Sequence, residues 1–197
     1  ITTGSANDQI VLGAGADIVN AGDGNDGVSG LLTAGDDVTL GAGDDNFTYS
    51  SLVLGATLDG DIGSDTLVYN LVQAITINVD LTNTNHIITD DAGDYQNFEN
   101  FNSQTSSDVI HLISNAGAGV VTGSGADVIT LAVGGESINT FTGNDTFHGT
   151  AATINDADNI NGGGATDTLN ITGGGTVNLA TATVTNIEII NTDATLA

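Results

Sequence analysis

The chain contains no lysine and no arginine, against 25 aspartates and glutamates in 197 residues. The formal charge of −25 at pH 7 therefore has no internal counter-charge, and no Lys or Arg ion pair can form. Soluble chains ordinarily carry charges of both signs, so compaction here works against self-repulsion. The absence excludes several functions. Nucleic-acid binding needs cationic side chains against the phosphates, anionic membrane surfaces repel such a chain, and phosphate-handling enzymes rely on Lys or Arg clamps. Trypsin-like proteases find no cleavage site. The composition invites a bound cation instead, and oxygen-rich sites favour hard ones such as Ca²⁺.

Cysteine, proline, methionine and tryptophan are absent too. Without cysteine there are neither disulfides nor thiolate metal sites. No apolar run approaches membrane-spanning length, and no N-terminal signal peptide is visible. An opening Ile1 in place of Met suggests a processed form or an excerpt. Aromatic residues are few, and small β-branched residues dominate the apolar set. That composition suits many short strands around a thin core.

What is present is a repeat. An Asp followed two positions later by an apolar residue recurs as Asp8 and Ile10, Asp17 and Val19, Asp26 and Val28, Asp36 and Val38, and Asp45 and Phe47, at intervals of 9, 9, 10 and 9 residues. Asp36 is preferred to Asp37, whose following apolar position falls on Thr39. The pattern continues more loosely at Asp65 and Leu67, Asp108 and Ile110, Asp127 and Ile129, Asp145 and Phe147, Asp158 and Ile160, and Asp167 and Leu169. The step is nine residues and two steps make one coil. Gly-x-Gly-x-Asp segments such as Gly13–Asp17 and Gly41–Asp45 read as turns, where glycine supplies positive φ and close backbone approach. The short alternating runs between them read as strands: Gln9–Leu12, Val38–Leu40, Asn46–Tyr49, Val109–Leu112, Val128–Leu131 and Thr168–Ile171. Four-residue strands cannot stand alone, but stacked coils bury their inward rows.

These features predict an all-β fold, a parallel β-roll or β-solenoid spanning residues 1–197 as one continuous array. Residues 4–49 form the regular nonapeptide section. Residues 50–104 form a degenerate section with longer strands, a loop near 82–96 and an acidic patch at Asp90, Asp91 and Asp94. Residues 105–170 form a second, looser array, and 171–197 a terminal strand pair or cap. No long helical period is present.

The segments Leu12-Gly-Ala-Gly-Ala-Asp-Ile-Val-Asn20, Ala21-Gly-Asp-Gly-Asn-Asp-Gly-Val-Ser29 and Leu40-Gly-Ala-Gly-Asp-Asp-Asn-Phe-Thr48 resemble the Gly-Gly-x-Gly-x-Asp-x-apolar-x unit of RTX (repeats-in-toxin) proteins. Gly162-Gly-Gly-Ala-Thr-Asp-Thr-Leu-Asn170 is close to it. The resemblance implies a calcium-binding β-roll with Ca²⁺ between turns one coil apart, held by the motif carboxylate and by turn carbonyls. On that reading the metal residues are Asp8, Gly13, Gly15, Asp17, Gly22, Gly24, Asp26, Asp36, Gly41, Gly43, Asp45, Asp65, Asp108, Asp127, Asp145, Asp158 and Asp167. One edge would align Asp8, Asp26 and Asp45 and the other Asp17 and Asp36, and in the second half Asp108, Asp127 and Asp145 would share an edge. The turns near 115–119 and 134–137 lack the Asp, which predicts weak or empty sites there. Asp65–Tyr69, Ile77–Leu81 and Phe98–Phe101 are similar to the longer inter-repeat strands of large RTX surface proteins, and Asp167–Ile171 and Val184–Ile190 look like segments of bacterial S-layer proteins and adhesins of this family.

Other chemistries find little support. His111 and His148 each lie three residues after a motif Asp and read as outward strand positions. No Ser-His-Asp set stands out, polysaccharide lyases of β-helix form use a basic residue missing here, and the Thr-x-Thr pairs lack the regular spacing of ice-binding ladders. The expectation is a non-enzymatic structural module, extracellular or on a bacterial cell surface and exported by type I secretion. Its expected partner is a further copy of itself in a layer or filament, and an adhesin of this kind would also meet cell-surface polysaccharide. Neither nucleic acid nor direct membrane insertion is expected. The alternative is the calcium-triggered secretion and folding module of a larger RTX enzyme or toxin, for which Asp193–Ala197, acidic then apolar, resembles an export signal.

Overall fold

In a computed structural model of the chain, the described residues are 1–49, 55–70, 76–83, 87–88, 94–103, 109–154, 157–180, 182–193 and 195–196. Their regular secondary structure is nearly all parallel β-sheet, wound as a β-solenoid, the fold the repeat predicts. The chain divides into two compact units, Ile1–Leu71 with Asp80–Asn102, and Val72–Val79 with Ser103–Ala197. Among the described residues no helix is long and apolar enough to cross a membrane.

In the first unit one row of parallel strands consists of β1 (Gln9–Leu12), β3 (Gly27–Gly30), β5 (Asn46–Tyr49), β7 (Thr66–Tyr69) and β10 (Asn100–Asn102). A second row consists of β2 (Ile18–Asp23), β4 (Asp37–Ala42), β6 (Thr57–Ile62) and β9 (Asp94–Gln96). The register carries the repeat directly into the core. Ile10 lies beside Val28, Val28 beside Phe47, Phe47 beside Leu67, and Leu67 beside Phe101. In the second row Val19, Val38, Leu58 and Tyr95 align in the same way. All of these side chains are buried. Each contributes roughly 1.5–3 kcal/mol by leaving water, which no single four-residue strand could gather alone.

In the second unit one row consists of the Thr76–Val79 part of β8 (Thr76–Asp80), then β11 (Val109–Ile113), β13 (Val128–Thr130), β15 (Thr146–Thr150), β17 (Thr168–Thr172) and β20 (Ile189–Thr192). The other consists of β12 (Gly119–Val121), β14 (Ser137–Asn139), β16 (Asn159–Asn161) and β19 (Thr183–Thr185). A short helix, α1 (Ala151–Ile154), follows β15, and β18 (Thr176–Val177) pairs with β21 (Thr195–Leu196). Leu112, Ile129, Phe147, Leu169 and Ile190 align along one row. Val120, Ile138, Ile160 and Val184 align along the other. His111 and His148 are exposed, at the outward positions expected of them.

Residues 171–197 hold terminal strands, β19 and β20 extending the two rows and β18 pairing with β21, and Ile189 and Ile190 remain exposed. Two expectations need correction. The end of the expected 82–96 loop is the strand β9, which pairs with β6 and buries Tyr95. The second concerns register. His111 pairs with Val128, so Ile110, not Asp108, takes the position opposite Asp127. Sliding a strand by two residues keeps its inward and outward faces, so apolar alternation alone could not distinguish the two registers. Asp108 itself, with Asp90 and Asp91, lies outside the described residues.

Candidate metal centre

The motif aspartates form ladders that run from coil to coil. In the first unit the Asp8 N–H donates to Asp26 Oδ1 (2.8 Å), the Asp26 N–H to Asp45 Oδ1 (2.7 Å), and the Asp45 N–H to Asp65 Oδ1 (2.9 Å). These steps span 18, 19 and 20 residues. The ladder ends on a residue of another type, with the Asp65 N–H donating to Glu99 Oε2 at 2.9 Å across 34 residues. In the second unit the Ile110 N–H donates to Asp127 Oδ1, the Asp127 N–H to Asp145 Oδ1, and the Asp145 N–H to Asp167 Oδ1, each at 2.8 Å. The Asp167 N–H then donates to Glu188 Oε2, also at 2.8 Å.

Shorter ladders follow the other turns. The Asp17 N–H donates to Asp36 Oδ1 at 2.8 Å, and the Glu136 N–H to Asp158 Oδ1 at 3.1 Å. Asp36 stops its ladder because Ala56 occupies the next register position, where the Thr57 N–H reaches the Asp36 carbonyl. An outer ladder of opposite polarity accompanies the first: the Asn25 N–H donates to Asn7 Oδ1, the Asp44 N–H to Asn25 Oδ1, and the Ser64 N–H to Asp44 Oδ1.

The inner carboxylates are buried. Asp26, Asp36, Asp45, Asp65, Asp127, Asp145 and Asp167 are all at most 1% exposed, whereas Asp8 and Asp17 are half-buried. One oxygen of each inner carboxylate takes the ladder hydrogen bond. Asp36 also satisfies its second oxygen, which accepts the Thr33 N–H at 2.6 Å. The Oδ2 atoms of Asp26, Asp45, Asp65 and Asp167 are buried without a hydrogen-bond partner. Those of Asp127 and Asp145 make no well-formed hydrogen bond either, although the Thr122 and Thr140 hydroxyls lie near enough to ease the two charges. A buried carboxylate oxygen left unpaired is costly. Neighbouring coils are about 4.8 Å apart, and like charges at that spacing repel by about 3 kcal/mol at an effective dielectric of about 20.

The acidities register this strain. Burial raises the carboxyls of Asp45, Asp127 and Asp167 and pushes those of Asp65 and Asp145 up to about 7, in each case as the largest cause. The ladder N–H groups and the nearby hydroxyls act in the opposite direction, and adjacent carboxylates add to the rise on Asp45, Asp65, Asp145 and Asp167.

The glycines explain how the turns stack so closely. Gly41 and Gly43 adopt φ of 110° and 152°, and a side chain on either would collide with the carbonyl of Gly22 or Gly24 one coil away. Gly22 and Gly24 make the same kind of approach to Gly4 and Ala6. Gly13 and Gly15 lie in open space, with only the φ of 107° at Gly15 demanding glycine.

Three members of the ladders were not expected. Glu99, Glu136 and Glu188 stand at register positions of motif aspartates, each two residues before an aligned apolar residue, Phe101, Ile138 and Ile190. The turn near 134–137 therefore carries a buried carboxyl after all, Glu136, while the turn near 115–119 places Ala118 at that position. Among the described residues no three His, Cys, Asp or Glu side chains converge as a metal cluster, so a cation here would need backbone oxygens as well. The donor set fits a hard cation: carboxylate oxygens, with an unpartnered one on Asp26, Asp45, Asp65 and Asp167, in turns that expose carbonyls. No family model and no curated sequence matches the chain.

Proposed function

We propose that this chain is an extracellular structural module, a β-solenoid held together by calcium, which associates with further copies of itself into a surface layer or filament or forms a section of an adhesin. One observation carries the reading: a coil-by-coil ladder of buried carboxylates with unpartnered second oxygens, in a chain without a basic side chain. Asp26, Asp45, Asp65, Asp127, Asp145 and Asp167 would each give a carboxylate oxygen to calcium, and the glycine turns would give carbonyls. Bound calcium supplies the positive charge that the sequence lacks, so folding and calcium binding are one equilibrium. Strand β1 ends its row in the first unit and β20 ends its row in the second, and both offer backbone edges to a neighbour once the charge is neutralised.

The test has two parts. Circular dichroism in chelator gives a disordered chain that turns to β-structure on adding millimolar-range calcium. Sedimentation then gives assemblies in calcium and none in sodium chloride of matched ionic strength, because screening lowers repulsion without building the turns. A β signal indifferent to chelator refutes the calcium reading. A stable monomer in calcium at high protein concentration refutes self-assembly and favours the secretion and folding module of a larger protein.

A further inference from the structure

Both ladders end in the same arrangement, built from different sequence. In the first unit Asn97-Phe-Glu99 closes the ladder, and in the second Asn186-Ile-Glu188 does so. Each asparagine takes the left-handed conformation, with φ of 56° at Asn97 and 53° at Asn186. Each asparagine side chain donates at 2.7 Å to a residue of the preceding coil, Asn97 to Asp59 Oδ1 and Asn186 to Asn161 Oδ1. Those acceptors also take a backbone N–H two residues on, from Asp61 at 3.0 Å and from Gly163 at 3.1 Å.

The glutamate then alters the ladder. At earlier rungs a carboxylate residue donates its own N–H forward to the next carboxylate. Glu99 and Glu188 turn theirs back, to the Asp65 carbonyl at 3.1 Å and the Asp167 carbonyl at 3.2 Å. The following residue does the same, Asn100 at 2.9 Å and Ile189 at 3.0 Å. The ladder stops at a carboxylate longer by one methylene.

Beside each terminal pair a glycine packs closely against two of the same oxygens. A side chain placed on Gly60 would meet the Asn97 carbonyl oxygen, and would come 2.7 Å from Asp65 Oδ2. One placed on Gly162 would meet the Asn186 carbonyl oxygen, and would come 2.7 Å from Asp167 Oδ2. Asp65 and Asp167 are fully buried, and both Oδ2 atoms lack a hydrogen-bond partner. Glu99 is half-buried and Glu188 exposed, so each pair has one carboxylate that solvent ions can reach.

We infer that each unit carries a calcium site at this closing coil, formed by Asp65, Glu99 and the Asn97 carbonyl in the first unit and by Asp167, Glu188 and the Asn186 carbonyl in the second. The inference rests on the calcium reading above and adds to it a site type outside the Gly-x-Gly-x-Asp turns. The glutamate is suited to the role because one oxygen holds the ladder N–H while the other is free to ligate. The left-handed asparagine turns the chain beside the glycine, so that its carbonyl and the aspartate oxygen approach the same glycine from close by. Hard, oxygen-only donors of this kind suit calcium better than softer divalent ions.

The experiment is equilibrium dialysis of the full chain against radiolabelled calcium, for the unchanged protein, Glu99→Gln, Glu188→Gln and the double variant. Glutamine keeps an oxygen to accept the ladder N–H and removes the ligating charge. The expected result is one ion fewer per chain in each single variant and two fewer in the double, with the β signal in calcium retained. A variant that loses its β signal is scored by titrating that signal with calcium: the site predicts recovery at raised calcium, and a purely structural glutamate predicts none. Unchanged stoichiometry and affinity in both single variants overturns the sites while leaving the turn ladders standing. An unchanged protein that binds no calcium refutes the calcium reading itself, which is a distinct outcome.

Discussion

Replacing Asp145 by Asn should change stability in opposite directions with and without calcium. Asp145 is buried, its Oδ1 accepts the Asp127 N–H, and its Oδ2 has no hydrogen-bond partner. Burial pushes its carboxyl up to about 7 from an ordinary 3.8, and the charges of Asp127 and Asp167 add to that rise. Three units correspond to about 4 kcal/mol at about 1.4 kcal/mol each, an upper bound on the cost of holding the ionised group in the metal-free fold above pH 7. Asparagine removes that cost and keeps an oxygen for the ladder N–H. It also leaves an NH₂ at the Oδ2 position, a penalty of about 1–3 kcal/mol. In chelator at pH 8 the variant should therefore be about 1–3 kcal/mol more stable. In calcium it has lost a charged ligand, and a site held at a hundredfold excess over its dissociation constant contributes about 2.7 kcal/mol, so the variant should be less stable by an amount of that order. The residual β signal of both proteins by circular dichroism in chelator reads the first sign, and thermal or urea unfolding in calcium reads the second. A substitution that destabilises equally in the two conditions refutes the reasoning, because the carboxylate would then act through its hydrogen bond alone.

The metal-free chain should gain stability on mild acidification. Its raised carboxyls, Asp65 and Asp145 at about 7 among them, bind more protons folded than unfolded, so stability falls as pH rises from about 4 to about 7. Circular dichroism in chelator at pH 5 and pH 8 checks this, with more β signal expected at pH 5. Gly43→Ala should cost several kcal/mol in chemical unfolding, because its φ of 152° and the Gly24 carbonyl leave no room for a side chain. Gly13→Ala, facing open space without positive φ, should change stability by less than about 0.5 kcal/mol. Asp26→Ala should lower calcium affinity more than Asp145→Ala in titration calorimetry, since Asp26 sits among the close glycine turns of Gly22, Gly24, Gly41 and Gly43.

The regular part of the fold was legible because one rule governs it. From Asp8 to Asp45 the step is nine or ten residues, so the residues two places after each Asp had to face inward in two alternating rows, and they do, Ile10, Val28 and Phe47 in one and Val19 and Val38 in the other. The strand β9 was not legible: Asp94-Tyr-Gln96 follows no Gly-x-Asp turn, and only its place beside β6 makes it a strand. The pairing of Ile110 with Asp127 was hidden by parity, since Ile110 and Leu112 both satisfy the apolar rule. The glutamate rungs were missed for a chemical reason. Glu99, Glu136 and Glu188 obey the same spacing as the aspartates, and a search admitting either carboxylate would have found them. What no spacing could reveal is that one oxygen each of Asp26, Asp45, Asp65 and Asp167 is left without a partner, because that depends on how closely the turns stack.

The central claim is that calcium sits against those oxygens. Crystals grown in calcium and measured for anomalous scattering test it most directly. The account predicts peaks between successive turns, about 2.3–2.6 Å from the Oδ2 atoms of Asp26, Asp45 and Asp65 and, in the second unit, of Asp127, Asp145 and Asp167. An ordered ladder without such peaks, its Oδ2 atoms carrying protons and hydrogen-bonded to neighbouring oxygens, would contradict it.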